Sequence, residues 1–426
     1  MMKLKKNLNG ANFIRQIFQE ISRQENKTQL PARAKISLTD CAMSCFAMFS
    51  LKWPSLLQYD KNRRDFHIAN NLRTLFHVKN APCDTYMREC LDEMPLKMIR
   101  PCFKKIFATL QRDRALDGFR FIDGYHLISV DGTGYYSSSK VYCTNCCIKN
   151  HRNGTTTYYH NMLGAAMVHP DIKQVIPFCP EPIVGRTNAS KNDCEQEATK
   201  RLLNHMRREH PHLKILIVQD ALYDSGPNVK QLELLSMKYI IVRKGDPLKW
   251  GNKELIETSE VTDQDGIVHH FRFRNGDVLN SSHRDIKTNI FEERFITKKG
   301  KESIGCWITN IPITKDNVHQ LVRGGRTRWK IENETFNTLK NQGYNFKHNY
   351  GHGKKNLSTI MNYLMLLAFL VDQAQLLSCG LFKRAREERR TLHLLWESMR
   401  TYFGDFQWDS WPQYLSTVAK VKFNSS

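Results

Sequence analysis

The most informative segment runs from Arg323 to Lys340 and reads R-G-G-R-T-R-W-K-I-E-N-E-T-F-N-T-L-K. It contains strong helix formers and no proline, and both glycines lie at its start, where a helix entry tolerates them. Its apolar side chains at Trp329, Phe336 and Leu339 fall on one stripe of a helix. The pattern therefore predicts a helix that buries this stripe, including the indole of Trp329.

The same helix would carry an unusual charged face. Arg328 and Glu332 are four residues apart and share a side, and Lys340 lies two turns further on, about 80° around the axis. An exposed helix with ion pairs between neighbouring turns is the simplest interpretation of such a segment in isolation. The rest of the chain favours a chemical role for the carboxylate.

The chain is strongly basic, with 64 Lys and Arg against 42 Asp and Glu in 426 residues and a formal charge of +22. The excess is concentrated, because residues 1–120 hold 22 basic against 11 acidic side chains and residues 321–360 hold 8 against 2. A merely solubilising surface predicts an even spread, whereas a polyanionic partner predicts basic patches. We therefore expect a nucleic acid partner.

The cysteine content and the lengths of the apolar runs indicate the cellular compartment in which the protein is found. Twelve cysteines occur without a secretory signal pattern, and the longest apolar run, Tyr363 to Val371, is nine residues, too short to cross a bilayer. We expect a cytoplasmic protein, with no membrane partner, whose thiols are free or bind metal rather than form disulfides.

Four regions are expected from the change of pattern along the chain. The first is helical and basic and is the expected DNA-binding region, where two short helices fit either a helix-turn-helix or the corner of a helical bundle. The second alternates strands with helices, which predicts a mixed α/β sheet flanked by helices. The third is a β-rich insertion and the fourth a helical tail. Their bounds are 1–120, then 121–243 together with 317–378, then 244–316, and finally 379–426.

Three carboxylates stand out for their positions. Asp131 and Asp220 each follow a short apolar run, at what would be the end of a strand, which is where ligands bind in α/β sheets. Glu332 adds a third carboxylate among cations. Three such groups brought together repel one another unless a cation lies between them. Two Mg²⁺ or Mn²⁺ ions about 3.5–4 Å apart would supply that charge and support phosphodiester chemistry.

The residues around these carboxylates resemble the motifs of the DDE transposases of bacterial insertion sequences, especially the IS-four group. D-G-T from Asp131 is similar to the first motif, D-A-L-Y from Asp220 to the second, and R-W-K-I-E from Arg328 to Glu332 to the third. The resemblance covers roughly residues 120–375. It implies an RNase-H-like catalytic core with a β-rich insertion before the last catalytic helix and an all-α region ahead of it.

The resemblance also implies an activity: binding the ends of an insertion sequence, cleaving DNA and transferring the 3′-OH strand to target DNA. Asp131, Asp220 and Glu332 would be the catalytic metal ligands, and a homodimer would pair two ends at the bacterial nucleoid. The alternatives are a metal-dependent DNA nuclease without strand transfer and a catalytically inert transposase-derived DNA-binding protein. The expected DNA contacts are the cations in and after the opening segment: Arg323, Arg326, Arg328, Lys330, Lys340 and Lys347.

Two positions depart from the group's signature, Tyr-x₂-Arg-x₃-Glu-x₆-Lys. Gly325 occupies the tyrosine position, and Lys340 comes one residue later than the pattern requires. Glu334 is the alternative third ligand. Glu332 is preferred because it keeps the Arg-x₃-Glu spacing and shares the side of Arg328.

A cysteine cluster offers candidate zinc ligands at Cys143, Cys146, Cys147 and His151, with His160 nearby. The alternative is a set of reduced thiols. Further on, His348 and His352 would either touch DNA or order the loop after the helix, and the loop role is preferred.

Overall fold

The computed structural model describes residues 7–27, 36–185, 195–245 and 255–421. Within these residues an eleven-stranded, mostly antiparallel sheet carries helices around it, so the expected mixed α/β architecture is confirmed. The strands are β1 His126–Ser138, β2 Cys147–Asn150, β3 Thr156–His169, β4 Ile172–Pro177, β5 Glu181–Ile183, β6 Ile215–Gln219, β7 Lys238–Val242, β8 Glu257–Thr262, β9 Val268–Asn280, β10 His283–Ile296 and β11 Glu302–Thr309.

The strands are ordered β2-β3-β1-β6-β7-β11-β10-β9-β8, and β4 and β5 both pair with β3. Strands β1, β6 and β7 run parallel, whereas β1 pairs with β3 in antiparallel fashion. All five residues of β6 are buried, in keeping with the continuous apolar run typical of a parallel strand covered on both faces.

The described part of the expected β-rich insertion continues the same sheet. Strands β8 to β11 form an antiparallel series, and β11 pairs with β7, with Trp307 opposite Val242. Residues 246–254 of this region lie outside the described residues. The segment therefore lengthens the sheet instead of forming a layer of its own.

The helices lie before, between and after these strands. Their bounds are α1 Gly10–Lys27, α2 Leu38–Ser50, α3 Leu56–Asn62, α4 Phe66–Phe76, α5 Asp84–Glu93, α6 Arg100–Arg112, α7 Glu195–Glu209, α8 Gly226–Leu234, α9 Val318–Arg326, a π-helix Ile331–Phe336, α10 Asn337–Asn341, α11 Leu357–Ser378, α12 Gly380–Glu388, α13 Leu392–Asp405 and α14 Trp411–Val418.

The first and last helices pack into one bundle around α11. Helix α2 contacts α11, and α4 contacts α13, where the Asn71 amide donates to the carbonyls of Phe403 and Phe406. At the end of α5, the Asp92 carboxylate accepts hydrogen bonds from the backbone N–H groups of residues 354–357, which lead into α11. Helices α4 and α5 therefore form a corner of this bundle.

Helix α11 organises the core beneath the sheet. By length and composition alone it would be able to cross a membrane, but 89% of its most apolar window is buried inside the protein. A mostly buried apolar helix is the usual core element of a globular domain.

Candidate active site

Two of the predicted carboxylates lie side by side on parallel strands. In the pairing of β1 with β6, Ser129 lies opposite Val218, so the same register two residues further on brings Asp131 level with Asp220. Neighbouring strands are about 4.8 Å apart. Asp131 is not at a strand end, because β1 continues to Ser138 through its pairing with β3, which corrects the prediction from sequence.

Glu332 lies on a π-helix, not on the regular helix expected from sequence. This segment packs directly on the sheet at Gly164, the residue paired with Asp131, where an added Cβ would lie 2.9 Å from the ring of Phe336. The Ser129 hydroxyl, buried in β1, donates to the Arg328 carbonyl at 2.8 Å. Glycine and serine on the strands therefore allow Glu332 to approach the two aspartates.

The apolar stripe of the opening segment also differs from the prediction. Trp329 is 54% exposed, and the buried side chains are Ile331, Phe336 and Leu339. The π-helix spaces residues more widely than the 3.6 per turn assumed from sequence, which rotates the stripe. Both glycines lie in the last turn of α9, so they do not open a helix.

Gly325 is packed tightly against β11. A Cβ placed on it would lie 2.7 Å from Nε1 of the buried Trp307 indole. A tyrosine at this position therefore has no room without displacement of the indole.

Among the predicted DNA contacts, Arg328 forms an ion pair with one of the three carboxylates. Its Nη1 lies 3.5 Å from Oδ2 of Asp131, and its guanidinium stacks 3.9 Å from the centroid of the Trp329 ring. The side chain is largely buried, with 9% of the residue exposed. A planar cation held in this way is suited to bidentate contact with an anion.

Burial and mutual repulsion set the protonation of Asp131. Burial raises the pKa of this carboxyl, and the charges of Asp220 and Glu332 raise it further. The backbone N–H of Gly132, which donates to Oδ1 at 2.8 Å, and the Arg328 guanidinium both lower its pKa. Asp220 and Glu332 are thus each close enough to Asp131 to repel it, and the three carboxylates supply an all-oxygen donor set, which suits a hard divalent cation.

A fourth carboxylate, Glu195, lies at the same place and has no counterpart in the sequence prediction. A Cβ on Gly132 would lie 2.3 Å from its Oε1. Burial raises the pKa of Glu195, and the charges of Asp131 and Asp220 raise it further. A glutamate in the first turn of a helix is ordinary, because the helix dipole favours it there, so the sequence offered no signal.

We expect Glu195→Gln to weaken binding of Mn²⁺ by about 10-fold, the lower end of the effect of removing a supporting carboxylate from a metal site. Isothermal titration calorimetry measures this directly. Glu197→Gln is the matched control, because Glu197 begins the same helix but pairs with Lys200. Equal Mn²⁺ affinities for the two variants would show that Glu195 takes no part in the site.

Most of the other predicted DNA contacts have partners inside the chain. Arg323 pairs with Asp171, Arg326 pairs with the buried Glu293, and Lys330 Nζ donates to the Ile172 carbonyl at 2.7 Å. Lys340 and Lys347 make no ion pair within the described residues, and Lys347 is exposed. These two lysines remain the most available for an external anion.

The structure contains a cluster of cysteine and histidine side chains, but its members are not all the residues predicted from the sequence. Cys143 and Cys146 are joined by His160 of β3 and His352 of the loop before α11. Cys147 and His151 point elsewhere. The Cys147 thiol donates to the Ile183 carbonyl, and the His151 ring lies 2.8 Å from the Thr157 hydroxyl.

Comparison with known families bears on this arrangement. A family model described as "Transposase DDE domain" matches residues 149–370, just over half of the chain. The matched range contains Asp220, Glu332 and the π-helix, and it begins after the end of β1, which carries Asp131. A comparison with curated proteins finds no match.

Proposed function

This chain belongs to the transposase DDE-domain family, whose members cleave and transfer DNA, and we propose that it is an insertion-sequence transposase of the IS-four-like group. In this proposal it binds the terminal inverted repeats of its element, cleaves there, and joins the freed 3′-OH to target DNA. A homodimer would hold the two ends together.

One observation carries the proposal: Asp131, Asp220 and Glu332 converge beside a buried arginine. The three come from two parallel strands and a π-helix that are far apart in sequence, and their charges raise the pKa of Asp131. The parallel strands β1, β6 and β7, with β3 and β4 antiparallel beside them, support the RNase-H-like assignment.

The carboxylates would hold two divalent ions, Mg²⁺ or Mn²⁺, which when bound activate the attacking oxygen and stabilise the leaving oxygen of a phosphodiester. Asp131, Asp220 and Glu332 are the proposed ligands, with Glu195 beside them. Their mutual repulsion in a partly buried site fits a role as cation ligands, since a bound cation relieves it.

The chain's own cations and aromatic side chain would position the DNA. Arg328 would contact the scissile phosphate in bidentate fashion, and Lys340 and Lys347 would contact the backbone as point charges. Trp329, which is half exposed against Arg328, presents a flat ring on which a base near the cleavage point can stack.

The test is an assay with DNA that carries the element ends and flanking sequence, in Mg²⁺ or Mn²⁺. We expect both cleaved and joined products from the wild type, and neither from Asp220→Asn, which should still shift the DNA in a binding assay. Cleavage without joined products would favour the metal-dependent nuclease. Binding without any cleavage would favour the inert DNA-binding protein.

A further inference from the structure

Four side chains with metal-binding atoms meet at the loop that follows β1, and none of them is one of the carboxylates described above. The two sulfurs of Cys143 and Cys146 are 3.8 Å apart, and Nε2 of His160 lies 3.4 Å from each. Nε2 of His352 lies 3.4 Å from the Cys146 sulfur and 3.1 Å from Nε2 of His160. All four ligand atoms fall within 4.8 Å of one another.

Five of these six separations are close to those of a tetrahedron around zinc, and the sixth, from Cys143 Sγ to His352 Nε2, is within 4.8 Å. Zn–S bonds of about 2.3 Å and Zn–N bonds of about 2.0–2.1 Å give edges of about 3.8 Å between sulfurs, 3.5 Å between sulfur and nitrogen, and 3.4 Å between nitrogens. The observed values are 3.8, 3.4 and 3.1 Å. A disulfide requires sulfurs about 2.05 Å apart, so this spacing corresponds to two separate thiol groups.

The surroundings orient the rings for coordination. Nδ1 of His352 lies 3.0 Å from the Gly353 carbonyl, to which it donates, and this leaves the Nε2 lone pair directed at the cluster. Tyr136 packs against the His352 ring at 4.3 Å between centroids, and Tyr135 stacks on His160. A histidine held by a backbone carbonyl on its other nitrogen is the usual arrangement at protein zinc sites.

We infer that Cys143, Cys146, His160 and His352 bind one Zn²⁺ ion in a structural site. Cys146, His160 and His352 are buried and Cys143 is partly buried, so four protein ligands close the coordination shell and leave no position for substrate. The ligand set comes from this geometry and does not depend on the proposed function.

The site would fasten three separate parts of the chain. The two cysteines belong to the loop between β1 and β2, His160 to β3, and His352 to the loop between α10 and α11. Strand β3 pairs with Asp131 on β1, and the α10–α11 loop follows the helix that carries Glu332. Zinc would therefore hold the loop that follows the Glu332-bearing π-helix and α10 against β3, the strand that pairs with Asp131.

The experiment measures zinc in the full chain purified without chelators, by mass spectrometry of the metal, and the spectrum of the Co²⁺-substituted protein. We expect one zinc ion per chain and the visible bands of tetrahedral Co²⁺ with thiolate ligands. Cys143→Ser and His352→Asn should each lose both. The matched controls Cys147→Ser and His151→Asn should keep both.

A chelator test on the wild type covers the case in which a ligand variant fails to fold. We expect removal of zinc to lower the Tm of the wild type, and re-addition of Zn²⁺ to restore it. A purified wild type without zinc that gives no tetrahedral Co²⁺ spectrum would overturn the proposal. So would a Cys143–Cys146 disulfide in the purified chain, or loss of zinc from Cys147→Ser with retention in Cys143→Ser.

Discussion

We expect Glu332→Gln to lose most of its DNA cleavage activity and Glu334→Gln to cleave at close to the wild-type rate. The charge of Glu332 raises the pKa of Asp131, which places the two carboxylates at one site. The charge of Glu334 acts instead on Lys330, which donates to the Ile172 carbonyl at the start of β4. Glutamine keeps the size of the side chain and removes its charge. We expect a loss of at least about 100-fold for Glu332→Gln, the scale on which losing one electrostatic contact to a transition state lowers kcat.

The measurement is single-turnover cleavage of element-end DNA at a fixed Mn²⁺ concentration. Both variants should unfold at the same temperature as the wild type and bind the same DNA with similar affinity, so that the difference lies in the chemical step. The reverse result, with Glu334→Gln inactive and Glu332→Gln active, would move the third ligand by two residues and contradict the role proposed for Glu332.

The position of Asp220 at the end of a strand could be predicted from sequence because parallel strands covered on both faces have continuous apolar runs. The run before Asp220 becomes β6, every residue of which is buried. The extension of β1 past Asp131 was not readable, because it depends on pairing with β3, and β3 begins 18 residues after β1 ends. Pairing between distant segments is set by tertiary packing that a local pattern does not contain.

The π-helix shows how a local rule fails at the site itself. A period of 3.6 residues places Trp329 in the core with Phe336 and Leu339, but the structure exposes Trp329 and buries Ile331. The burial of this segment depends on Gly164 of β3, because a residue without a side chain leaves room there for the ring of Phe336. Irregular helical turns of this kind are often found at functional sites.

The candidate metal ligands that were not predicted from the sequence were missed for the same physical reason. His352 contacts Cys146, although 206 residues separate them in the sequence. Glu195, on α7, lies close to Asp131, on β1. Spacing rules find ligands that lie close together in the chain, which is why Cys143 and Cys146 were predicted with His160 nearby, whereas His352 was assigned to ordering its loop. The neighbours Cys147 and His151 satisfied the spacing and face other groups.

A buried ion pair between Lys52 and Asp372 links the end of α2 to α11 in the helical bundle. Lys52 follows α2, its Nζ pairs with the Asp372 carboxylate on α11, and it lies 3.7 Å from the centroid of the Trp396 ring on α13. The Tyr344 hydroxyl donates to the same carboxylate at 2.6 Å. Burial raises the pKa of Asp372 while Lys52 lowers it, and burial lowers the pKa of Lys52 while Asp372 raises it.

We expect Asp372→Asn to lower the free energy of unfolding by about 3–5 kcal/mol, because it leaves the Lys52 charge buried without its counter-charge. The double variant Lys52→Met with Asp372→Leu should lose much less, since it removes both charges together. Urea unfolding followed by circular dichroism measures these differences.

Lys355→Met is the control, because Lys355 pairs with Glu93 on the surface and its removal should change little. If Asp372→Asn were no more destabilising than Lys355→Met, the pair would not hold the bundle. The strong destabilisation expected for the single variant follows from the low exposure of both charges, 0% for the Lys52 side chain and 5% for that of Asp372.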